Sequence, residues 1–268
     1  MALTSTQETL FFPLLGRAAA AQRWPRLFSD RWAQQAADIA AAEGTTARSL
    51  DTYSQTVYGL RHVAIVAEIK DYLRDHPGAA VVNIGCGLDS LAADLAGTDH
   101  GTLYNLDFPE VLAVRSRWLP QDGSVDLPYS LTDVAWLDHV DGTQGMIAVA
   151  TGVMYYIEVG DAAAIIDAMA QRFPAGRFIY DAESPMITRG SEKQIARAGV
   201  TASMPFQVKD PFSVRFWSRS IADVDIEFNI SHCLSPSARR ELPLRARVLH
   251  KLMEKIRGMY LVRVSFAG

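Results

Sequence analysis

The stretch Ala80-Val81-Val82-Asn83-Ile84-Gly85-Cys86-Gly87-Leu88-Asp89 decides the fold. Its first five residues form a short, β-branched apolar run that is typical of a buried strand, and the two glycines that follow permit a tight turn. A helix is predicted from Ser90 to about residue 96. Strand, glycine loop and helix in this order begin a nucleotide-binding βαβ unit.

The same alternation continues on both sides of this stretch. Apolar residues at helical spacing predict a helix over residues 56–74, and His76-Pro77-Gly78 ends it. Strands are predicted over residues 102–106, 146–150 and 177–181. Pro109 suits the first position of a helix that runs to about residue 119, and Asp161 can cap another that runs to about residue 173. The sequence therefore predicts an α/β fold with a doubly wound, mostly parallel sheet.

The flanking regions predict how this single domain is divided. Residues 1–55 are Ala-rich and predicted to form a helical cover, with helices over 23–32 and 32–42 and a stop at Gly44. Residues 56–183 are the nucleotide-binding core. Three prolines interrupt residues 184–224, which are predicted to form a lid insertion. Residues 225–268 are predicted to complete the sheet with strands over 225–234 and 259–266 and a helix over 244–256.

Composition excludes several classes of partner. The 268 residues are 49% apolar and 21% charged, with a net charge of -4 and no basic cluster, so nucleic acid is not an expected partner. Cys86 and Cys233 lack the paired spacing of a zinc site, so no metal or disulfide is expected. Glu8 and Pro13 in the N-terminal segment argue against a signal peptide, and no run approaches the roughly 20 apolar residues of a membrane span. The sequence thus favours a cytoplasmic protein and is silent on its oligomeric state.

Two features at a fixed spacing predict a nucleoside ligand. In an open parallel sheet the ligand crevice lies beyond the carboxyl ends of the strands, where Gly85 and Gly87 let a ligand approach the backbone closely. Asp107 follows Gly87 by 20 residues and ends the second strand, where a carboxylate can accept both ribose hydroxyls. The alternative for Asp107 is capping of the helix that begins at Pro109.

The residues after the glycines distinguish two kinds of nucleoside. A dinucleotide-binding loop has a third glycine where Ser90 stands, and Asp89 would repel a pyrophosphate. S-adenosylmethionine carries an ammonium and a sulfonium, which a carboxylate attracts. The loop therefore favours an S-adenosylmethionine-dependent methyltransferase over a nicotinamide-dependent oxidoreductase. Arg61, just before the first strand, can pair with the cofactor's carboxylate or lie on a solvated helix face.

Several ordered motifs resemble the leucine carboxyl methyltransferase family, and in particular its bacterial branch of tetracenomycin-type polyketide O-methyltransferases. They are Glu8-Thr9-Leu10, Pro13-Leu14, Gly16-Arg17-Ala18, Leu60-Arg61-His62, the stretch Val81 to Asp89, and Leu106-Asp107-Phe108-Pro109-Glu110-Val111. The resemblance runs from about Glu8 to Pro185. It implies a Rossmann-like class I methyltransferase fold that binds S-adenosylmethionine.

Carried over by position, the resemblance implies a set of cofactor-binding residues. Arg61 would hold the methionine carboxylate, Asp107 the ribose, and Ser130 and Leu131 the adenine. The residues expected to line the cofactor are Gly85, Cys86, Gly87, Asp89 and Thr151. Three residues depart from the family pattern, because Asn105, Ser130 and Thr151 stand where relatives commonly have acids. Loss of the acid at Thr151 removes an expected partner of the cofactor's charged end.

The sequence indicates the methyl acceptor less directly than it indicates the cofactor. A carboxylate acceptor needs no base, whereas a hydroxyl needs one and a phenol, with a pKa near 10, needs only modest help. Arg17 and Tyr156 are candidate acceptor contacts, and no catalytic base is assigned. The hypothesis is methyl transfer to a carboxyl or hydroxyl oxygen of a small metabolite. Two alternatives remain, a protein that binds S-adenosylmethionine or its demethylated product without turnover, and the nicotinamide oxidoreductase.

Overall fold

A seven-stranded sheet crosses the computed structural model, which describes residue 4, residues 7–44 and residues 50–268. Its strands are β1 (Ala80–Ile84), β2 (Leu103–Leu106), β3 (Val125–Leu127), β4 (Met146–Ala150), β5 (Arg177–Glu183), β6 (Ile221–Glu227) and β7 (Met259–Phe266). They lie in the order β3-β2-β1-β4-β5-β7-β6, and only β7 runs antiparallel to its neighbours. The sheet order reverses between β1 and β4, which confirms the doubly wound, mostly parallel class.

Helices cover both faces of the sheet. They are α1 (Phe11–Arg23), α2 (Arg31–Ala42), α3 (Thr52–Asp75), α4 (Leu91–Asp94), α5 (Pro109–Trp118), α6 (Val159–Arg172), α7 (Pro185–Arg197), α8 (Pro236–Glu241) and α9 (Leu244–Lys255). Successive strand residues point to opposite faces, so Val82 and Val81 belong to two separate apolar clusters. Because both faces are buried, the central strands β1 and β4 are almost entirely apolar, with Asn83 as the polar residue of β1.

Three strands have the bounds that the sequence predicts, β1, β4 and β7, and Pro109 occupies the first turn of α5 as expected. Helix α3 starts four residues before the predicted helix, because the Asp51 carboxylate accepts the Ser54 amide and caps it. Strand β5 continues two residues beyond its predicted end, to Glu183. This extension brings a second carboxylate, after Asp181, to the end of the strand.

Other predictions were wrong. The helix predicted over 23–32 does not form, because the chain turns after Arg23 and Asp30 caps α2 through the Ala33 amide at 2.8 Å. Asp161 lies inside the first turn of α6 and does not cap it. The strand predicted over 225–234 is β6, which ends at Glu227, and Asn229 then accepts hydrogen bonds from Ser231 in a turn.

The lid and cover regions were predicted only in outline. Residues 184–224 contain a helix, α7, with Pro185 in its first turn, which the sequence analysis missed. The short strand β3 was also missed. In the predicted cover over 1–55, residues 1–3, 5–6 and 45–49 lie outside the described residues, and α1 and α2 account for most of the rest.

Candidate active site

A cavity of about 1640 Å³ opens beyond the carboxyl ends of β1, β2, β4 and β5. Single-ligand pockets measure roughly 300–1,000 Å³, so this cavity has room for two molecules side by side. We distinguish two parts of its wall. The loop side consists of residues 83–89, Asp107 and residues 130–131, and the helix side consists of Glu183, α7 and the tyrosines Tyr53, Tyr58 and Tyr156.

Two glycines shape the loop side. Gly85 has a φ of +60° and Gly87 a φ of +45°, which L side chains rarely adopt. A Cβ on Gly85 would stand 2.2 Å from Val153 Cγ2, so the β4 loop packs directly on this turn. The Asp107 carboxylate accepts the Gly87 amide and the Phe108 amide, each at 2.8 Å. Asp107 therefore fixes the glycine loop while it lines the cavity, and burial raises its pKa although these two amides oppose the shift. The alternative of helix capping was wrong, because Phe108 is the N-cap residue of α5 and no side chain caps the helix.

An ionic network supports the loop from behind. Arg17 Nε pairs with Asp30 Oδ2 at 2.9 Å, its Nη2 donates to the Leu88 carbonyl at 2.7 Å, and its Nη1 lies 3.6 Å from Asp89 Oδ2. His62 lies between two carboxylates, with Nε2 at 2.8 Å from Asp94 and Nδ1 at 3.4 Å from Asp89. Burial lowers the pKa of His62, but the charge of Asp89 and hydrogen bonds to Asp89 and Asp94 outweigh it and raise this pKa to about 10. Burial raises the pKa of Asp89, yet His62 and Arg17 hold it well below its usual range. The network is therefore charged at neutral pH.

Two buried polar atoms at the cavity wall have no hydrogen-bond partner among the described residues, Asp89 Oδ1 and Asn83 Nδ2. One is an anionic acceptor and the other a neutral donor. A buried unpaired polar atom costs about 1–3 kcal/mol. Both atoms are covered by the surrounding protein, so neither is open to the cavity in this conformation.

Arg61 is joined to the end of β5. Its Nη1 bonds Asp181 Oδ2 at 2.8 Å, and its guanidinium lies over the Tyr58 ring at 5.1 Å. Asp181 also accepts the Gly152 amide at 2.6 Å and the Tyr155 hydroxyl at 2.7 Å. Asp181 thereby connects α3, the loop after β4 and β5, and it orients Arg61 toward the cavity.

The remaining wall of the loop side comes from two further strand ends. Ser130 and Leu131 follow β3, where the Ser130 hydroxyl accepts the Thr132 amide at 3.3 Å and the Leu131 carbonyl accepts the Trp136 indole at 3.1 Å. Thr151 follows β4 and also lines the cavity. Cys86 is buried, and burial raises its pKa well above the usual value, so it is not a thiolate nucleophile.

The helix side is apolar and aromatic around one carboxyl group. Glu183 is 8% exposed, and its Oε2 accepts a hydrogen bond from the Ser191 hydroxyl of α7 at 2.8 Å. Burial raises the pKa of Glu183 to about 7, aided by the negative Asp181 and opposed by Ser191 and Arg61. Burial, with the charge of Glu183 in addition, raises the pKa values of Tyr53 and Tyr58 to about 12. Glu183 is thus the carboxyl group that titrates near neutrality.

All eleven site residues singled out from the sequence line this one cavity, Arg17 and Tyr156 included. Their roles toward ligands stay predictions, and Arg17 uses its three guanidinium nitrogens on Asp30, Leu88 and Asp89. The sequence analysis missed Asn83, Arg115 and Glu183. Arg115 donates to the Asp89 carbonyl from α5. Glu183 stands two residues after Asp181, a spacing that places both carboxylates on the same face of a strand, and this signal was available.

The sequence model of the leucine carboxyl methyltransferases matches residues 11–170. The chain belongs to the leucine carboxyl methyltransferase family. The matched residues contain the whole loop side and Arg61, whereas Glu183 and α7 lie beyond them. This division separates a cofactor-sized region with family motifs from a region that the family match does not describe.

One curated relative and two solved structures complete the comparison of this leucine carboxyl methyltransferase family member. The tetracenomycin polyketide synthesis O-methyltransferase TcmP of Streptomyces glaucescens is 32% identical over 129 residues, which are 47% of this chain and 48% of TcmP. The match thus spans about half of each protein. A DUF574 family protein from Streptomyces avermitilis superposes with a TM-score of 0.56, at 13% identity, over 87% of this chain and 90% of its own. The plantazolicin methyltransferase BamL, solved in complex with a triazolic desmethylPZN analog and SAH, superposes with a TM-score of 0.52, at 10% identity, over 97% of this chain and 98% of its own.

The two superpositions confirm the class I, Rossmann-like fold of this family member. Across the part of the chain that the structure describes, no three His, Cys, Asp or Glu side chains are grouped as metal ligands. Within the same residues, every helix is too short or too polar to span a bilayer.

Proposed function

We propose that this chain is an S-adenosylmethionine-dependent O-methyltransferase that acts on a small molecule. The observation that carries the proposal is the glycine turn of Gly85 and Gly87, which lines one cavity together with Asp107, Asp89 and Arg61. A carboxylate after β2, an acid in the loop and an arginine match the ribose hydroxyls, ammonium and carboxylate of S-adenosylmethionine. Family membership and the partial similarity to TcmP support the same reaction class.

In this proposal, different residues of the loop side contact different parts of the cofactor. Asp107 would receive the ribose hydroxyls on carboxylate lone pairs that the Gly87 and Phe108 amides leave available. Arg61 would hold the carboxylate, and Asp89 the ammonium. Asp89 then takes the place of the family acid that is absent at Thr151. Ser130 and Leu131 would border the adenine.

When bound, S-adenosylmethionine supplies an electrophilic methyl group on a sulfonium, which is a good leaving group. The chain's own residues therefore need mainly to align the acceptor oxygen with that methyl group and to exclude water. The fixed pairs Arg61 with Asp181 and Asp89 with His62 hold the loop side rigid for this alignment. The helix side, with Tyr53, Tyr58 and the α7 wall, would enclose the acceptor in an apolar environment.

Calorimetric titration of the purified protein with S-adenosylmethionine, S-adenosylhomocysteine and NAD tests the proposal. We expect dissociation constants on the order of 1–100 µM for the first two, or about -5.5 to -8.2 kcal/mol, and no binding of NAD. Binding of NAD alone would favour the oxidoreductase, and absence of all three would refute the proposed function. Retention of cofactor without transfer to any acceptor would favour the binding protein.

A pair of variants tests the place assigned to the ammonium. Asp89→Asn should weaken S-adenosylmethionine binding by about 10- to 100-fold, because a charged hydrogen bond contributes about 1.5–3 kcal/mol. Asp94→Asn is the matched control, since Asp94 also pairs with His62 at 2.8 Å but does not line the cavity. Equal losses in both variants would show that the network acts only on the loop's structure.

A further inference from the structure

Helix α9 and its C-terminal cap present an apolar stripe to the outside of the domain. Five of the ten large apolar side chains that are exposed in the described residues lie here, and each is 36–67% exposed. They are Leu244, Val248, Leu249, Leu252 and Ile256. Residues four apart share one face of a helix, so four of them form a continuous stripe with Leu249 beside it. Single exposed apolar residues are ordinary, whereas a continuous stripe marks an interaction surface.

The opposite face of α9 fixes the direction in which the stripe points. Ala246 and His250 are buried, and His250 Nε2 lies 3.0 Å from the Thr56 hydroxyl of α3. These contacts belong to the packing of α9 on α3 and β7. Met253, at the edge of this face, lines the cavity of the candidate active site. The stripe therefore points away from the domain, on a helix that also borders the cavity.

Basic side chains accompany the stripe. Residues 236–257 contain seven basic and two acidic residues, a net charge of +5 in a chain whose net charge is -4. On α9 the exposed cations are Arg245, Lys251 and Lys255, and the carboxylate of Glu254 lies on the other side of the helix from the stripe. The sequence analysis missed this concentration of charge, because apolar residues separate the cations along the chain and only the helix brings them to one face.

We propose that the outward face of α9 binds an anionic lipid surface, with the stripe at the edge of the acyl chains and the three cations at the headgroups. From Leu244 to Ile256 the stripe is about 18 Å long, which suits a helix that lies in the plane of a bilayer surface. The same length is too short to span the roughly 30 Å hydrocarbon core. Long basic side chains carry their charge to the headgroups while their methylene stems stay beside the apolar residues.

Charge and position favour a lipid surface over a second copy of the chain. A twofold contact would place the same face on itself, so the cations of one α9 would meet those of the other. An anionic bilayer attracts these cations and accepts an apolar face without a matching groove. The position of α9 agrees, because Met253 of this helix and Met186, which is 63% exposed, both line the cavity. A bilayer at α9 would therefore lie next to the apolar helix side of the cavity.

Sedimentation of the full chain with sucrose-loaded vesicles tests this surface. The vesicles contain phosphatidylcholine alone or with about 30% phosphatidylserine, which supplies anionic headgroups. The stripe variant is Val248→Ser/Leu252→Ser, and its matched control is Val125→Ser/Val134→Ser. The control valines are 44% and 53% exposed and lie on and just after β3, at the opposite edge of the sheet from β6 and β7. All four positions are exposed, so both variants should fold, and thermal unfolding checks this.

We expect the wild type and the control to bind the phosphatidylserine vesicles at least about tenfold more tightly than phosphatidylcholine alone. The stripe variant should lose about tenfold or more in affinity, because two large aliphatic side chains no longer leave water on binding. The charge variant Arg245→Gln/Lys251→Gln/Lys255→Gln should lose about 100-fold, since each basic residue at an anionic surface contributes roughly fivefold.

Three vesicle results would overturn the inference: no sedimentation of the wild type with anionic vesicles, equal binding to both vesicle types, or equal binding by the stripe variant and its control. Soluble polyglutamate is the probe for an acidic protein surface, and tighter binding to it than to vesicles would replace the lipid by an acidic protein partner. A dimer in analytical ultracentrifugation that the stripe variant abolishes would replace the lipid by a second copy. None of these measurements involves S-adenosylmethionine, so their failure leaves the proposed function untouched.

Discussion

The loop side and the helix side of the cavity bury carboxyl groups in opposite ways. On the loop side, Asp89 lies against Arg17 and His62 and is ionised, and on the helix side Glu183 has only a hydroxyl donor at 2.8 Å and a pKa raised by burial to about 7. Paired charges give a rigid, permanently charged surface, which suits binding. A buried carboxyl group that forms no ion pair changes its protonation near neutral pH, which suits proton transfer.

Asp181 stands between the two sides, and its loss should have the largest effect. Asp181→Ala leaves the Arg61 guanidinium buried without its partner and removes the acceptor for Gly152 and Tyr155. We expect a loss of about 3–5 kcal/mol in the free energy of unfolding, measured by urea denaturation. Asp71→Ala, which breaks an exposed pair with Arg74, should cost about 0–1 kcal/mol. A similar small cost for both would show that the two sides are not joined through Asp181.

The glycine turn should be nearly as sensitive. Gly85→Ala places a Cβ 2.2 Å from Val153 Cγ2 at a φ of +60°, and we expect it to destabilise the protein by about 2–4 kcal/mol from clash and backbone strain together. Gly97→Ala is the matched control, because Gly97 has a φ of +81° with open space around its Cβ position, so it reports strain alone. The double variant Gly85→Ala/Val153→Ala should recover part of the difference in thermal unfolding. If the double variant recovers no stability, the whole loss in Gly85→Ala comes from backbone strain.

Asp107 links loop geometry to cofactor affinity. Asp107→Ala should weaken binding of S-adenosylhomocysteine by about 1.5–3 kcal/mol for each charged hydrogen bond lost, roughly 10- to 100-fold, in a calorimetric titration. Asp161→Ala, in the first turn of α6 and outside the cavity lining, is the control and should change affinity little. Unchanged affinity in a folded Asp107→Ala protein would show that the ribose is held elsewhere and that Asp107 only fixes the Gly87 and Phe108 amides.

The loop side could be predicted from the sequence because its determinants are local. The strand of Ala80–Ile84, the glycines after it and the spacing to Asp107 all lie within 28 residues, and each is decided by short-range periodicity and turn chemistry. Arg17 and His62 were recognised from motifs, but their pairing with Asp30 and Asp94 depends on how α1 and α3 pack on the loop. That packing is a tertiary property, which no pattern within one helix contains.

The helix side could not be predicted because its determinants are distant in sequence. The pKa of Glu183 follows from burial under α7, a helix that the prolines of residues 184–224 concealed. Strand β5 was predicted to end at Asp181 but continues to Glu183. The sequence therefore predicted the ligand crevice and, through the spacing from Asp181, could have pointed to Glu183, whereas the burial that raises the pKa of Glu183 emerged only from the folded chain.

The smallest expected effect concerns the charge of the loop side at high pH. The pKa of His62 is raised from 6.5 to about 10 in the folded protein by Asp89 and Asp94, against the opposing effect of burial. Its stabilising contribution is complete below about pH 6.5 and is lost as the pH rises through about 10, since the folded state alone keeps the proton in that window. One proton corresponds to about 1.4 kcal/mol per pH unit in the free energy of unfolding.

The free energy of unfolding should be measured by urea denaturation between pH 7.5 and 9.5. Its slope against pH should be less negative by this amount in His62→Gln than in the wild type. His139→Gln, on an exposed histidine that bonds Tyr129 at 2.8 Å, should keep the wild-type slope. Parallel slopes for the wild type and His62→Gln would mean that His62 is neutral in the folded protein, and the positive charge around Asp89 would then come from Arg17 and Arg115.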